Sequence, residues 1–145
     1  MEKQPPFEFH PVSTETKLSI PFVNGIKSAD LQYIDSADML PTVDLNTEFM
    51  KHPESSYYIK IVGDSMKDEG LDEGDWLVVD RSLFPTKKAL TICKYKGEFM
   101  MKHIAQTDRC IVLTSDNPQK PPIEVTENDD LCVCGVVMYV MKKKV

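Results

Sequence analysis

From about residue 57 onward the chain reads as short apolar runs broken at regular intervals by glycine and charged residues. Tyr57-Tyr58-Ile59-Lys60-Ile61-Val62 alternates and stops at Gly63, the two-residue period of a strand with one face buried. Trp76-Leu77-Val78-Val79-Asp80 is an apolar run between Gly74-Asp75 and Arg81-Ser82. The runs from Leu90 to Tyr95 and from Phe99 to Ile104 flank Lys96-Gly97-Glu98, a short glycine-containing loop of the kind that closes a hairpin. Cys110 to Thr114, the minor run Ile123-Glu124-Val125, and Leu131 to Met141 complete the set. Many short strands with little helix predict a mainly β fold of antiparallel strands.

Residues 1–40 differ in kind. They contain Pro5, Pro6, Pro11 and Pro21 and show no long periodic pattern. Prolines at that density break the amphipathic helices that a helix-turn-helix needs. An extended N-terminal arm over 1–40 is therefore expected, docked or mobile, ahead of a β-rich domain over 41–145. One helical turn is expected at Asp44–Met50, with Asp44 as its cap and Leu45 and Phe49 facing inward four residues apart.

Charge and composition narrow the function. The 145 residues carry a net charge of −6, which disfavours direct DNA binding, since phosphate neutralisation needs clustered Lys and Arg. The start, Met1-Glu2-Lys3-Gln4-Pro5-Pro6, lacks the basic and apolar regions of a signal peptide. The longest apolar stretch, 11 residues from Leu131 to Met141, falls short of the roughly 20 that cross a bilayer. The expected location is the cytoplasm. Cys93, Cys110, Cys132 and Cys134 form no CxxC pair. Cys132 and Cys134 are expected on one face of a strand as small buried apolar residues.

Two residues carry candidate chemistry. In Gly63-Asp64-Ser65-Met66, a serine follows a strand and a glycine that permits a sharp turn. Such a turn lifts the hydroxyl clear and aims neighbouring N–H groups at one spot, as an oxyanion requires; a serine there also simply caps turns. Lys102 shares a strand face with Met100 and Ile104. Burial there disfavours the ammonium, and a neutral amine is a general base toward a serine. The plainer reading is a lysine that snorkels to solvent. His10 falls in the arm, His52 precedes Pro53, and His103 alternates away from Lys102, so none is placed as the base. The acidic run Asp68, Glu69, Asp72, Glu73, Asp75 does not match calcium-loop spacing and reads as a solvated turn. Lys142-Lys143-Lys144 reads as a solvated tail. Neither a metal nor a cofactor is expected.

Together these residues resemble a known family. Val62-Gly63-Asp64-Ser65-Met66, then Asp72-Glu73-Gly74-Asp75, then Gly97-Glu98-Phe99 followed by Lys102, is similar to the LexA/UmuD self-cleaving Ser-Lys peptidases. The 37-residue interval from Ser65 to Lys102 fits the UmuD type, as do Val43-Asp44-Leu45-Asn46, His52-Pro53 and Gly135-Val136-Val137. The likeness runs from about Pro21 to Lys142. It implies a β-rich peptidase domain that forms a homodimer, with Ser65 as nucleophile and Lys102 as base. It also implies an oxyanion hole built from the backbone N–H groups of Asp64 and Ser65.

The resemblance further implies that the dyad cuts a bond in the arm when a RecA filament on single-stranded DNA promotes it. The trimmed dimer would then join an error-prone, UmuC-like Y-family polymerase in the SOS response. The family cuts before glycine, and the arm's only glycine is Gly25, so Asn24–Gly25 is the expected bond. Asn24 departs from the family's Cys or Ala, and Asn-Gly is also an ordinary turn dipeptide. A repressor of this family carries a DNA-binding module longer than this arm, which favours the UmuD type. The alternatives are a non-cleaving dimeric scaffold for a polymerase and a repressor fragment without its DNA-binding module.

Overall fold

The computed structural model describes residues 6–13, 19–21 and 42–144. In chain order the early elements are strands β1 (Phe7–Pro11), β2 (Ser19–Pro21) and β3 (Thr42–Asp44), helix α1 (Leu45–Phe49) and strand β4 (Ser56–Ile61). Then follow β5 (Trp76–Asp80), β6 (Leu90–Tyr95), β7 (Glu98–Gln106), β8 (Ile111–Thr114), β9 (Ile123–Val125) and β10 (Leu131–Met141). Two compact units divide the chain, residues 1–12 with 54–145 and residues 13–53.

The larger unit holds an eight-stranded sheet in the order β1-β4-β5-β10-β6-β7-β8-β9, antiparallel at every pairing. The last strand is thus inserted between β5 and β6 and joins two halves that are separate in sequence. It does so with two irregularities, between Val133 and Gly135 against β6 and between Val137 and Tyr139 against β5. Bulges of this kind bend and twist a strand. Gly135 has φ +151°, and a Cβ placed there would lie 2.6 Å from Val79 Cγ1 and 3.2 Å from the Asp80 carbonyl oxygen. Only glycine lets β10 approach β5 this closely. At the β6–β7 turn, Lys96 and Gly97 have φ of 49° and 83°, the two left-handed positions of a type I′ hairpin.

Alternation along these strands makes the core. Phe7, Ile59, Ile61, Met66, Leu71, Leu77, Val79, Ile92 and Met101 form one buried cluster, and Cys93, Leu113 and Val125 a second. Each fully buried aliphatic side chain of this size contributes roughly 1.5–3 kcal/mol relative to exposure. Every strand expected beyond residue 56 is present, with ends moved by a few residues at most. Phe7–Pro11, read from sequence as part of the arm, is an edge strand on β4, with Phe7 opposite Ile61 and Pro11 opposite Tyr57. Proline is tolerated there because it sits at a sheet edge.

In the smaller unit β2 and β3 pair antiparallel, Ser19 opposite Asp44. The Asp44 carboxylate caps α1, accepting from Asn46 N at 3.2 Å and from Thr47 Oγ1 at 2.7 Å. Leu45 and Phe49 are half-buried.

Candidate active site

The turn after β4 is fixed from both sides by apolar anchors. Gly63 takes φ +77° and starts it. Lys67 N donates to the Asp64 carbonyl at 3.2 Å, and Glu69 N to that of Met66 at 3.0 Å. A 3-10 turn over Lys67–Glu69 ends at Gly70, which is left-handed with φ +80°. Met66 and Leu71 are buried in the larger core cluster, so the turn is pinned while Asp64 and Ser65 stay exposed. Below it, the buried Asp75 carboxylate accepts from Asp72 N at 2.8 Å and pairs with Lys142 Nζ. Burial pushes the Asp75 carboxyl up, but the bonds from Lys142 and Asp72 outweigh this and hold it below the usual carboxylate range.

Lys102 lies opposite Thr91 of β6, whose Oγ1 donates to the Lys102 carbonyl at 2.8 Å. Met100 and Ile104 pack on the smaller core cluster, whereas Phe99 and Met101 belong to the larger. The expected alternation of β7 is therefore present, and Lys102 is 4% exposed. Its Nζ donates to Glu69 Oε1 at 2.8 Å. Glu69 also receives Lys120 Nζ on Oε1 at 3.0 Å and the Ser115 hydroxyl on Oε2 at 2.8 Å. A buried ion pair offsets its desolvation only when its remaining lone pairs are satisfied; here both carboxylate oxygens are occupied. Burial pushes the Glu69 carboxyl up, and the bonds from Lys102, Ser115 and Lys120 overcome that, leaving it below its ordinary value.

Glu69 therefore ties the turn that carries Ser65 to the strand that carries Lys102. Among the described residues, Ser65 and Lys102 are not hydrogen-bonded to each other. Asp64 and Ser65, whose backbone N–H groups are the candidate oxyanion hole, share the exposed part of the turn. Asn24 and Gly25 lie outside the described residues.

The structure corrects three readings. The acidic run is not wholly a solvated turn: Asp68, Asp72 and Glu73 are exposed, but Asp75 is buried and the Glu69 side chain is 4% exposed. Lys142 is not a free tail residue, because it pairs with Asp72 and Asp75. Cys132 is exposed, not buried, and Cys93 is the fully buried cysteine. Two histidines have partners away from the candidate site: His10 bonds Glu8, and His103 lies between the Ala89 carbonyl and Asp116. Among the described residues no cluster of His, Cys, Asp and Glu is placed to hold a metal ion, and no helix is long and apolar enough to cross a membrane.

Known proteins share this sequence pattern. The Peptidase S24-like family model matches residues 22–138. Protein SamA of Salmonella typhimurium is 34% identical over 101 residues, covering 70% of this chain and 69% of its own. Protein ImpA of Escherichia coli is 29% identical over 102 residues, 70% of this chain and 68% of its own. A LexA repressor from Ectopseudomonas mendocina is 24% identical over 136 residues, covering 93% of this chain and 66% of its own. With the family model spanning most of its length, the chain belongs to the Peptidase S24-like family.

Proposed function

We propose that this chain is a self-cleaving serine peptidase of the SOS response, with Ser65 as nucleophile and Lys102 as general base. The observation that carries the reading is the burial of Lys102 against the turn that presents Ser65, inside a chain of the S24-like family. In the proposed reaction neutral Lys102 takes the proton of Ser65 Oγ, which attacks the carbonyl carbon of Asn24. The N–H groups of Asp64 and Ser65 stabilise the oxyanion. Lys102 returns the proton to the departing amine of Gly25, and water then hydrolyses the Ser65 ester. Because the bond lies in the same chain, docking of the segment that carries Asn24–Gly25 at Ser65 sets its effective concentration. A promoter such as a RecA filament on single-stranded DNA acts by favouring the docked state.

The same reading makes the protein a cytoplasmic homodimer whose trimmed form is an accessory subunit of a UmuC-like Y-family polymerase. Val133, Met138, Tyr139, Val140 and Met141 of β10 are large apolar side chains left about 40% exposed, a surface suited to self-association. The test is intact-mass spectrometry after incubation at neutral and alkaline pH, with and without RecA filaments, beside Ser65→Ala and Lys102→Ala. The expected product begins at Gly25, forms faster at alkaline pH, and is absent from both variants. A second reading, a dimeric scaffold that does not cleave, is favoured by the engagement of Lys102 with Glu69. It predicts no product from the unaltered chain even with filaments.

A further inference from the structure

Glu69 is a buried titratable group for which the proposed reaction has no use. It sits four residues after Ser65, on the 3-10 turn, and its carboxylate faces inward at Lys102. The loop after β8 encloses it: Ser115 and Lys120 both bond it, and Asn117 Nδ2 donates to the Asp68 carbonyl at 3.0 Å. Asn117 N in turn donates to the Ser115 hydroxyl at 3.0 Å. Among the described residues, the titratable groups facing Lys102 are thus Glu69 from the turn, Lys120 across the shared carboxylate, and the buried Cys93 of β6. Cys93 carries a thiol whose proton is held by burial, so the only negative charge among them is that of Glu69.

A carboxylate in contact with an amine favours the ammonium form, and an ammonium has no lone pair with which to take a proton. The bond that Lys102 donates to Glu69 is one it does not share with the serine hydroxyl. We propose that Glu69 is a restraining and positioning residue, which holds Lys102 protonated and turned onto the 67–69 turn so that the dyad rests inactive. Activation then requires loosening of the Glu69–Lys102 contact and loss of the Lys102 proton to solvent before Ser65 is deprotonated. Lys120 moderates the latch, since its cation draws on the same Glu69 oxygen and disfavours a second ammonium beside it. This inference rests on the Ser65–Lys102 reading above.

The test follows product formation against pH for the full chain, Glu69→Gln and Lys120→Gln, with Ser65→Ala as control. Alongside it, the Lys102 Cε signal is titrated by NMR on protein labelled with carbon-13 lysine. Glu69→Gln keeps the side-chain shape and removes the charge. It is expected to move both the rising limb of cleavage and the Lys102 signal to lower pH. Lys120→Gln is expected to move both to higher pH. A purely structural role for Glu69 changes rates equally at every pH and leaves both midpoints in place, which overturns the latch. If the Lys102 signal moves as expected while no variant yields product, the latch on Lys102 stands and the self-cleavage reading fails.

Discussion

Burial pushes the Cys93 thiol up to about 12 and also raises that of Cys134, while Cys132 stands exposed on the same sheet. A thiol reacts as its thiolate, so brief iodoacetamide treatment of the folded protein at pH 8 is expected to modify Cys132 and spare Cys93. Peptide mass mapping reads this directly, and equal labelling of the two would contradict the burial of Cys93. Asp75 offers a second residue-scale outcome. Its carboxyl is held below the ordinary value in the folded chain. The stability it contributes is therefore complete above the unfolded carboxylate value, near ~3.9, and is lost as pH falls below that. Asp75→Asn is expected to reduce the difference between urea midpoints measured at pH 7 and pH 3. At this scale the sequence was legible for the exposed turn that carries Ser65 and for the strand face that Lys102 occupies. It was not legible for Glu69, because the partners that draw a carboxylate out of an acidic loop lie 33 and 46 residues away. Local composition, rich in Asp and Glu, argued for solvent.

Strands were the legible elements because their signal is local. The period-two runs and the Lys96-Gly97 turn carry the β6–β7 hairpin without help from the rest of the chain. Strand β1 was not legible. Phe-Glu-Phe-His-Pro has the right alternation, but it is five residues long, lies among prolines and pairs with residues some fifty positions away. The bulges of β10 were equally hidden, and the one between Val133 and Gly135 interrupts the face that Cys132 and Cys134 were expected to share: strict alternation holds only where the register is unbroken. Gly135 is where that break meets β5. In Gly135→Ala the added methyl meets Val79 Cγ1 at 2.6 Å on a backbone with φ +151°. Overpacking of this kind costs about 1–3 kcal/mol. The expected result is a lower urea midpoint with the slope of the transition unchanged, since the same surface is exposed on unfolding.

For the whole molecule, the sheet edge and the proposed cleavage are linked. Strand β1 precedes Gly25 in the chain and packs on the β4 edge. Phe7 is 4% exposed, with its ring centroid 5.6 Å from that of Phe99, and Phe9 packs on both Tyr57 and Phe99. Cutting Asn24–Gly25 would turn β1 from an intramolecular strand into part of a separate peptide. Its pairing then has to overcome the entropy of association as well as that of ordering. Five residues and one buried ring are a small return against that cost. Dissociation would leave the β4 edge unpaired and Tyr57 and Phe99 uncovered, the kind of edge that accepts a strand from another chain. Hydrogen exchange over 56–61 is therefore expected to quicken once cleavage is complete, in the amides that bond β1. Ser65→Ala, treated identically, should keep those amides slow. Phe7→Ala in the uncut chain should reproduce part of the change and lower stability by about 3 kcal/mol, as deletion of a buried phenylalanine ring does. Unchanged exchange in the cut protein would mean that the peptide stays seated, and that trimming leaves the main sheet and its edge as they were.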